Sequence, residues 1–259
     1  MKRLVVLALA ATLAPIASAG LSYDFAGSGS GAASAASFSG HTIVEGKGMR
    51  AEVTKGDGVF FKDGSVILSS DGETLHVLDP SDKTYYDLSL KDLRGGMNSM
   101  FGSGISMHYG DPKVATRDLG DGGKLEGYPT RRSIVDGSFT LTVDAMGQTM
   151  AVPISMTIER WTTNQLDPAF AFLLGGDAAG PTGDDAFDKA FSALLKPRDG
   201  FPLKQVTTTR TKFAGRETTT SHTMTISRIR KENATPSTFA LPAGYKKVAS
   251  PLEKLTKKR

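Results

Sequence analysis

The chain contains no cysteine. This absence excludes disulfide bonds, thiolate metal sites and a cysteine nucleophile, so the fold must be held together by its core alone. No apolar run reaches the roughly 20 residues that a helix needs to span a bilayer. The sequence also lacks a G-x-S-x-G nucleophile elbow, a complete dinucleotide-binding fingerprint and an internal repeat of roughly 20–50 residues.

A basic body is absent as well, although the formal net charge of the whole chain is +4. Lysines and arginines are concentrated at the two ends. Residues 20–245 hold 23 basic and 26 acidic residues, which leaves this body with a net charge of −3. A nucleic-acid-binding domain shows a basic face with interleaved aromatic residues, and this sequence has none.

The first 19 residues have the three parts of a secretory signal peptide. Lys2 and Arg3 form the positive start, Leu4 to Leu13 the apolar centre, and Ala17-Ser18-Ala19 the small-residue cleavage site. We expect cleavage after Ala19 and export of the remaining 240 residues to the periplasm. Since no cysteine follows the cleavage site, we expect no lipoprotein anchor.

No group of residues indicates catalysis. The four histidines, His41, His76, His108 and His222, lack the i, i+2 or i, i+4 spacing of a metal site. Three aspartates, Asp184, Asp185 and Asp188, lie at the start of a predicted helix, where negative charge stabilises the helix. Nothing marks an activated nucleophile. We therefore predict that the protein is not an enzyme and has no cofactor or metal.

Alternation of apolar and polar residues predicts a mainly β fold. Between Met49 and Val53, apolar residues occupy every second position, which indicates a half-buried strand. Asp63-Gly64 and Asp71-Gly72 predict hairpin turns, because glycine accepts positive φ. Further strands are predicted at these ranges: 21–26, 38–45, 113–119, 130–135, 139–144, 149–161, 203–213 and 218–229. We expect residues 27–36, rich in glycine and serine, to be flexible.

Helices are predicted at three places. Residues 89–101 have apolar side chains at helical spacing, Asp167-Pro168 opens the apolar segment AFAFLL, and residues 186–196 carry an apolar stripe. Strands, a short helix, strands, two helices and strands follow one another. A strongly curved antiparallel sheet with helices on its concave side satisfies that order. Pro153 favours an edge position or a bulge, because proline cannot donate a ladder hydrogen bond.

A collinear set of short motifs resembles periplasmic proteins of unassigned function that share the fold of the outer-membrane lipoprotein carriers LolA and LolB. The motifs are Gly48-Met49-Arg50, Thr74 through Pro80 with Lys83-Thr84-Tyr85-Tyr86, Gly127-Tyr128-Pro129-Thr130, Glu159-Arg160-Trp161, Gly200 through Lys204, and Phe239 through Tyr245. The resemblance implies one domain over residues 20–245, an incomplete β-barrel closed by two or three short helices around an apolar cavity. A Lys-rich tail, residues 246–259, follows that domain.

The resemblance implies a cavity that can hold acyl chains, and methionine and phenylalanine are the residue types suited to line it. The alternative is that the same side chains fill an ordinary core. The candidate cavity residues are Met97, Met100, Phe101, Met150, Val152, Met156, Phe170, Phe172, Phe187, Phe191 and Leu194.

We therefore expect an exported, non-enzymatic protein that binds or carries a lipid or an acylated protein. The alternative function is an envelope structural or interaction protein with a filled core that acts through its surface. The Lys-rich tail, Lys246 to Arg259, is either a solvated end or a contact with an anionic membrane surface.

Overall fold

The computed structural model describes residues 20–31, 37–56, 62–89, 105–145, 147–168, 185–195, 200–213, 215–251 and 253. Most of these residues lie in strands, and all the strands belong to one large open sheet of 12 strands. Helices are few within the described part of the chain. The prediction of a mainly β fold is therefore confirmed.

The elements have the following bounds. The strands are β1 (Leu21–Gly31), β2 (Phe38–Glu45), β3 (Gly48–Lys55), β4 (Val66–Ser69), β5 (Thr74–Asp79), β6 (Thr84–Ser89), β7 (Ile105–Leu125), β8 (Tyr128–Ala145), β9 (Gln148–Thr163), β10 (Phe201–Phe213), β11 (Arg216–Lys231) and β12 (Lys246–Lys247). The helices are α1 (Asp185–Leu195) and a one-turn 3₁₀ helix (Pro236–Thr238).

Two antiparallel meanders make up the sheet, in the order β12-β6-β5-β4-β3-β2-β1-β11-β10-β9-β8-β7. One meander runs from β1 to β6 and the other from β7 to β11. The pairing of β1 with β11 joins them, from Leu21 opposite Lys231 to Gly31 opposite Thr220. At the far end, β12 pairs in parallel with β6.

Each strand alternates its side chains between two faces. We call the face that carries Phe25 of β1 the inner face and the opposite one the outer face. In β3, Met49, Ala51 and Val53 lie on the inner face and are buried, which confirms the predicted half-buried strand. The main core is made of inner-face residues: Leu21, Tyr23, Phe25, Val44, Met49, Ala51, Val53, Ile67, Leu75, Val77, Leu88, Phe201, Leu203 and Ile226.

The sheet bends so that the hairpin between β7 and β8 returns to β11. Leu125 and Tyr128 at the end of this hairpin pack against the main core. The backbone N–H of Arg228 in β11 donates to Oε2 of Glu126, with 2.9 Å between the two atoms. In a flat sheet β8 and β11 would lie about 14 Å apart, since neighbouring strands are about 4.8 Å apart. The contact therefore requires strong curvature.

Arg228 is itself at an irregularity of the β1–β11 ladder. The register shifts between Ser22 and Asp24, which leaves an additional residue in β11. Arg228 is the left-handed residue there, with φ of 53°. A bulged residue is free of the ladder, and the Arg228 N–H is satisfied by Glu126 instead. The Arg228 guanidinium pairs with Asp24 of β1.

β7 is the long edge strand at the other end of the sheet. It continues through three register shifts, and each contains one left-handed residue, Asp111, Gly120 or Gly123. Asp118 accepts the N–H of Gly120 at 2.9 Å, and Asp121 accepts that of Gly123 at 2.8 Å. Bulges and charged side chains along an edge discourage pairing with other chains.

The structure corrects two predictions about strand length. β1 runs to Gly31, so Gly27–Gly31, the first part of the region predicted to be flexible, are in a strand. These residues pair with β11 along their whole length, and the ladder overrides the weak strand propensity of glycine and serine. β7 and β8 likewise extend well beyond residues 113–119 and 130–135, because bulges absorb the irregular positions.

Other predictions have different outcomes. The hairpin predicted at 203–213 and 218–229 is confirmed as β10 and β11, and α1 confirms the helix predicted at 186–196. In the helix predicted at 89–101, Ser89 instead ends β6, and residues 90–101 lie outside the described residues. The segment AFAFLL also lies outside the described residues.

The segment after β11 covers part of the outer face. The ring of Phe239 is buried and packs over Gly48, where a side chain would overlap it. Lys246 N donates to Lys83 O at 2.9 Å, and Val248 N donates to Tyr85 O at 2.8 Å. The Lys247 ammonium pairs with Asp87 at 2.7 Å. The first residues of the Lys-rich segment are thus part of the sheet, with both lysine side chains exposed.

Gly40→Ala tests the close packing of β1, β2 and β3. A methyl group at residue 40 would overlap the carbonyl oxygen of Glu52 and the ring of Phe25. We expect a loss of about 1–3 kcal/mol in the free energy of unfolding, as for other overpacked cores. The measurement is urea denaturation. The control is Gly110→Ala, where the nearest atom is 4.0 Å away, and equal effects of the two changes would contradict this packing.

Asp71, in the turn between β4 and β5, makes the stability of the fold depend on pH. Its Oδ1 accepts the backbone N–H groups of Thr74 and Glu73, both at 2.8 Å, and these bonds lower the pKa of Asp71 to about 2. A lowered carboxyl pKa stabilises the fold above the unfolded pKa, near 3.9, and the contribution is lost as pH falls towards the folded value.

Asp71→Ala should therefore lower the free energy of unfolding at pH 7 by up to about 1 kcal/mol, after allowance for solvent screening. The difference from the wild type should narrow between about pH 4 and pH 2. Denaturation midpoints of the wild type and the variant at several pH values measure this difference. Glu73→Ala serves as the control, and a difference for Asp71→Ala that is the same at pH 2 and pH 7 would argue against the proposed cause.

Candidate ligand-binding face

Helix α1 lies on the inner face of β7 and β8 and contacts it through Phe187. The helix begins at Asp185 and ends at Leu195. The Phe187 ring stacks on Tyr109 of β7 at 4.4 Å between centroids and meets Phe139 of β8 edge-on at 4.8 Å. Phe187 is only 3% exposed. Burial raises the pKa of Tyr109, and the nearby Asp188 carboxylate raises it further.

The register of β8 and β9 places three candidate residues on this same face. Val152 lies opposite Leu141, Met150 opposite Val143, and Met156 opposite Gly137. Phe139, which contacts Phe187, lies opposite Ile154. Side chains directly opposite each other in a ladder share a face, so α1 and these residues of β9 lie on one side of the sheet.

Burial of the inner face falls off along the sheet. In the first meander and around β11 the inner residues form the main core. Along β7, β8 and β9, the buried apolar residues among those described are Val135 and Ile158, which form a small cluster with Val114 and Met156 packed against it. Further along β9, Ile154 and Val152 are partly exposed and Met150 is 40% exposed. An apolar surface therefore continues beyond the part of the face that the described residues bury.

A polar group lies between the two apolar clusters. Arg160 of β9 is 4% exposed, and its Nε donates to Oε1 of Gln205 in β10 at 2.8 Å. Burial lowers the pKa of Arg160 to about 10. On the same face, the ring of His222 in β11 stacks on the ring of Phe38 in β2, with 5.5 Å between the centroids, and burial lowers the pKa of His222. These groups separate the main core from the partly covered face.

The other site residues predicted from the sequence lie, wholly or by their side chains, outside the part of the chain that the structure describes. Met97, Met100, Phe101, Phe170 and Phe172 lie outside the described residues. Phe191 and Leu194 belong to α1, and their side chains are likewise outside what the structure describes. Of the apolar stripe predicted for α1, Phe187 is buried but Ala186 is exposed.

Sequence reasoning missed the partners of Phe187. Tyr109 and Phe139 complete the aromatic cluster, at 6.2 Å from each other. Both belong to long strands that glycine and proline interrupt in the sequence, and strand patterning alone does not indicate which helix will cover them. Ile154 and Leu141 are further members of the face. The strict alternation from Met150 to Ile158 already indicates that Ile154 shares a face with the candidates.

The histidines lie apart on the sheet. Nδ1 of His41 is 2.7 Å from Oδ1 of Asp24, and Nδ1 of His76 is 2.7 Å from Oδ1 of Asp87. Both pairs lie across neighbouring strands on the outer face. Among the described residues, no group of three or more histidine, aspartate or glutamate side chains could hold a metal ion.

No helix in the described part of the chain is long and apolar enough to cross a membrane. No family model matches the sequence, and no curated protein is significantly similar to it.

Proposed function

We propose that this protein binds a lipophilic ligand, the acyl chains of a lipid or of an acylated protein, on the inner face of its second meander. It binds or carries this ligand without catalysing a reaction. The observation that carries the proposal is the contrast between the two halves of one face. The inner face is fully buried around β1–β5, whereas along β8 and β9 it stays partly exposed.

Hydrophobic burial would supply the binding energy. Met150, Val152 and Ile154 form a continuous apolar row along β9, with Val143, Leu141 and Phe139 opposite them in β8. Continuous apolar surface of this kind marks interaction sites in water-soluble proteins. Each methylene that an acyl chain buries here contributes roughly 0.8 kcal/mol. Methionine adds flexibility, which suits a face that accepts chains of varied shape.

We propose further that the curved sheet is an incomplete β-barrel of the LolA-like type, closed by helices. α1 would form one wall, held by Phe187 between Tyr109 and Phe139. The proposal assigns Phe191 and Leu194 to this wall with the rest of α1. It assigns the candidate residues outside the described ranges to the remaining wall: Met97, Met100, Phe101, Phe170 and Phe172. Export to the periplasm after cleavage at Ala19 is part of the same proposal.

Introducing a charge on the inner face of β9 tests whether this face binds a lipid. Met150→Glu and Val152→Glu place a carboxylate among the apolar side chains, and burying that charge beside an acyl chain is strongly unfavourable. We expect each change to reduce lipid retention at least tenfold, with only a small change in the denaturation midpoint. The measurement is mass spectrometry of organic extracts from natively purified protein.

The matched control is Ala151→Glu, which adds the same charge between those two residues but on the exposed outer face. It should leave lipid retention unchanged. The alternative, a filled core that acts through its surface, has a different outcome. In that case the wild type yields no lipid, and Val152→Glu lowers the denaturation midpoint strongly.

A second experiment concerns the Lys-rich tail, which we propose contacts anionic membranes. Replacing Lys254, Lys257, Lys258 and Arg259 by glutamine should weaken sedimentation with phosphatidylglycerol vesicles at least tenfold, because each basic residue near such a surface contributes about 1 kcal/mol. The melting temperature should not change. The control variant replaces four exposed lysines elsewhere, Lys55, Lys124, Lys189 and Lys231. If both variants bind vesicles as the wild type does, the tail has no part in membrane contact.

A further inference from the structure

The outer face of the second meander carries a row of four residues across four neighbouring strands. Lys113 of β7 lies opposite Ser138 of β8, Ser138 lies opposite Ser155 of β9, and Ser155 lies opposite Arg210 of β10. All four side chains point to the same face, because directly opposite residues do so. We call these four residues the anion row. A cation stands at each end, and two hydroxyl groups lie between.

The anion row lies in a groove. Two adjoining cavities, of about 460 Å³ and 350 Å³, share all four of its residues. The small side chains of Ser138 and Ser155 leave space over β8 and β9, while the long side chains of Lys113 and Arg210 stand on either side. Lys113 and Arg210 lie about 14 Å apart at the backbone, three strand spacings, so both can reach towards the middle.

Pro153 lies at one end of the groove. The ladder between β9 and β10 ends with Ile154 opposite Thr211, and Pro153 is the adjacent residue of β9 beyond that end. Proline has no N–H to continue that ladder. Pro153 pairs only with Thr140 of β8 and lines the larger cavity together with Thr211 and Lys212. The expectation of an edge position or a bulge is wrong for the strand as a whole, because β9 lies between β8 and β10 and Pro153 pairs with β8 without a bulge; on the side of β10, however, the ladder has ended before Pro153.

Three carboxylates lie around the anion row: Asp111 and Glu217 line the larger cavity, and Asp136 lines the smaller one. Asp136 lies beside the row but is bound to Arg117 at 2.9 Å and to the hydroxyl of Thr157 at 2.9 Å. Lys212 and Glu217 face each other across the β10–β11 ladder. Within the described residues, neither Lys113 nor Arg210 makes an ion pair. The groove therefore combines unpaired positive charge with hydroxyl donors.

We infer that this groove binds a phosphate group carried by a small organic molecule. Arginine and lysine bind phosphate oxygens through charge-assisted hydrogen bonds, arginine with two donors at once, and the serine hydroxyls donate to the remaining oxygens. The volume exceeds that of a bare phosphate and leaves room for an attached glycerol or sugar. The groove lies on the face opposite the apolar one, so the inference does not depend on the proposed lipid-binding function.

Titration calorimetry with glycerol phosphate at low ionic strength tests the groove. Arg210→Gln and Lys113→Gln should each raise the Kd about five- to tenfold, as expected for the loss of one partly screened charge-assisted hydrogen bond. Ser138→Ala and Ser155→Ala should each raise it about threefold. Binding should weaken steeply as salt is added, because the site is open to solvent.

The control variants are Lys124→Gln on β7 and Arg230→Gln on β11, which remove the same charges from exposed positions outside the groove. Their Kd should stay within twofold of the wild type.

Vesicles of phosphatidylglycerol, with phosphatidylcholine vesicles for comparison, distinguish the source of the phosphate. A ligand that is a headgroup gives binding to the anionic vesicles that depends on Arg210, whereas a free phosphorylated compound gives binding to glycerol phosphate alone. The inference is overturned if neither probe binds, or if the control variants weaken binding as much as the groove variants.

Discussion

The pairing of β1 with β11 is the interaction on which the rest of the structure depends. It joins two meanders that could each form locally, and it connects residues nearly the whole chain apart, such as Ala26 and Thr225, which are separated by 199 positions. Closing so large a loop costs entropy before any contact is made. Burial of Leu21, Tyr23 and Phe25 between the meanders offsets that cost.

The same junction bends the sheet. The bulge at Arg228 frees a backbone N–H, and the carboxylate of Glu126 at the end of the β7–β8 hairpin accepts it. Asp24 of β1 binds the Arg228 side chain and His41. The bond to Glu126 and the packing of Leu125 and Tyr128 together hold the end of the β7–β8 hairpin against the main core. Among the described residues, the inner face further along β8 and β9 is covered only in part, by α1.

The two faces of the second meander have different chemistry because of the alternation along β9. Its even-numbered residues from Met150 to Ile158 are all apolar and lie on the inner face. Its odd-numbered residues include Ser155 and Thr157 on the outer face, where β10 contributes Arg210 and β7 contributes Lys113. One strand thus contributes to an apolar surface on one side of the sheet and to a polar groove on the other.

The sequence by itself determined the features that depend on neighbouring residues. The alternation at Met49, Ala51 and Val53, the glycine turns at Gly64 and Gly72, and the hairpin of β10 and β11 follow from strand periodicity and from positive φ. The inner face of β9, with Met150, Val152 and Met156, was also readable from periodicity alone. Only the tertiary structure decided which strands distant in the sequence are partners, and therefore the pairing of β1 with β11 and that of β12 with β6. It also decided that Gly27–Gly31 are in a strand, that Phe187 contacts Tyr109 and Phe139, and that Lys113, Ser138, Ser155 and Arg210 form a row. These features require register between distant segments, and register is set by the free energy of packing the whole sheet rather than by any local preference of the chain.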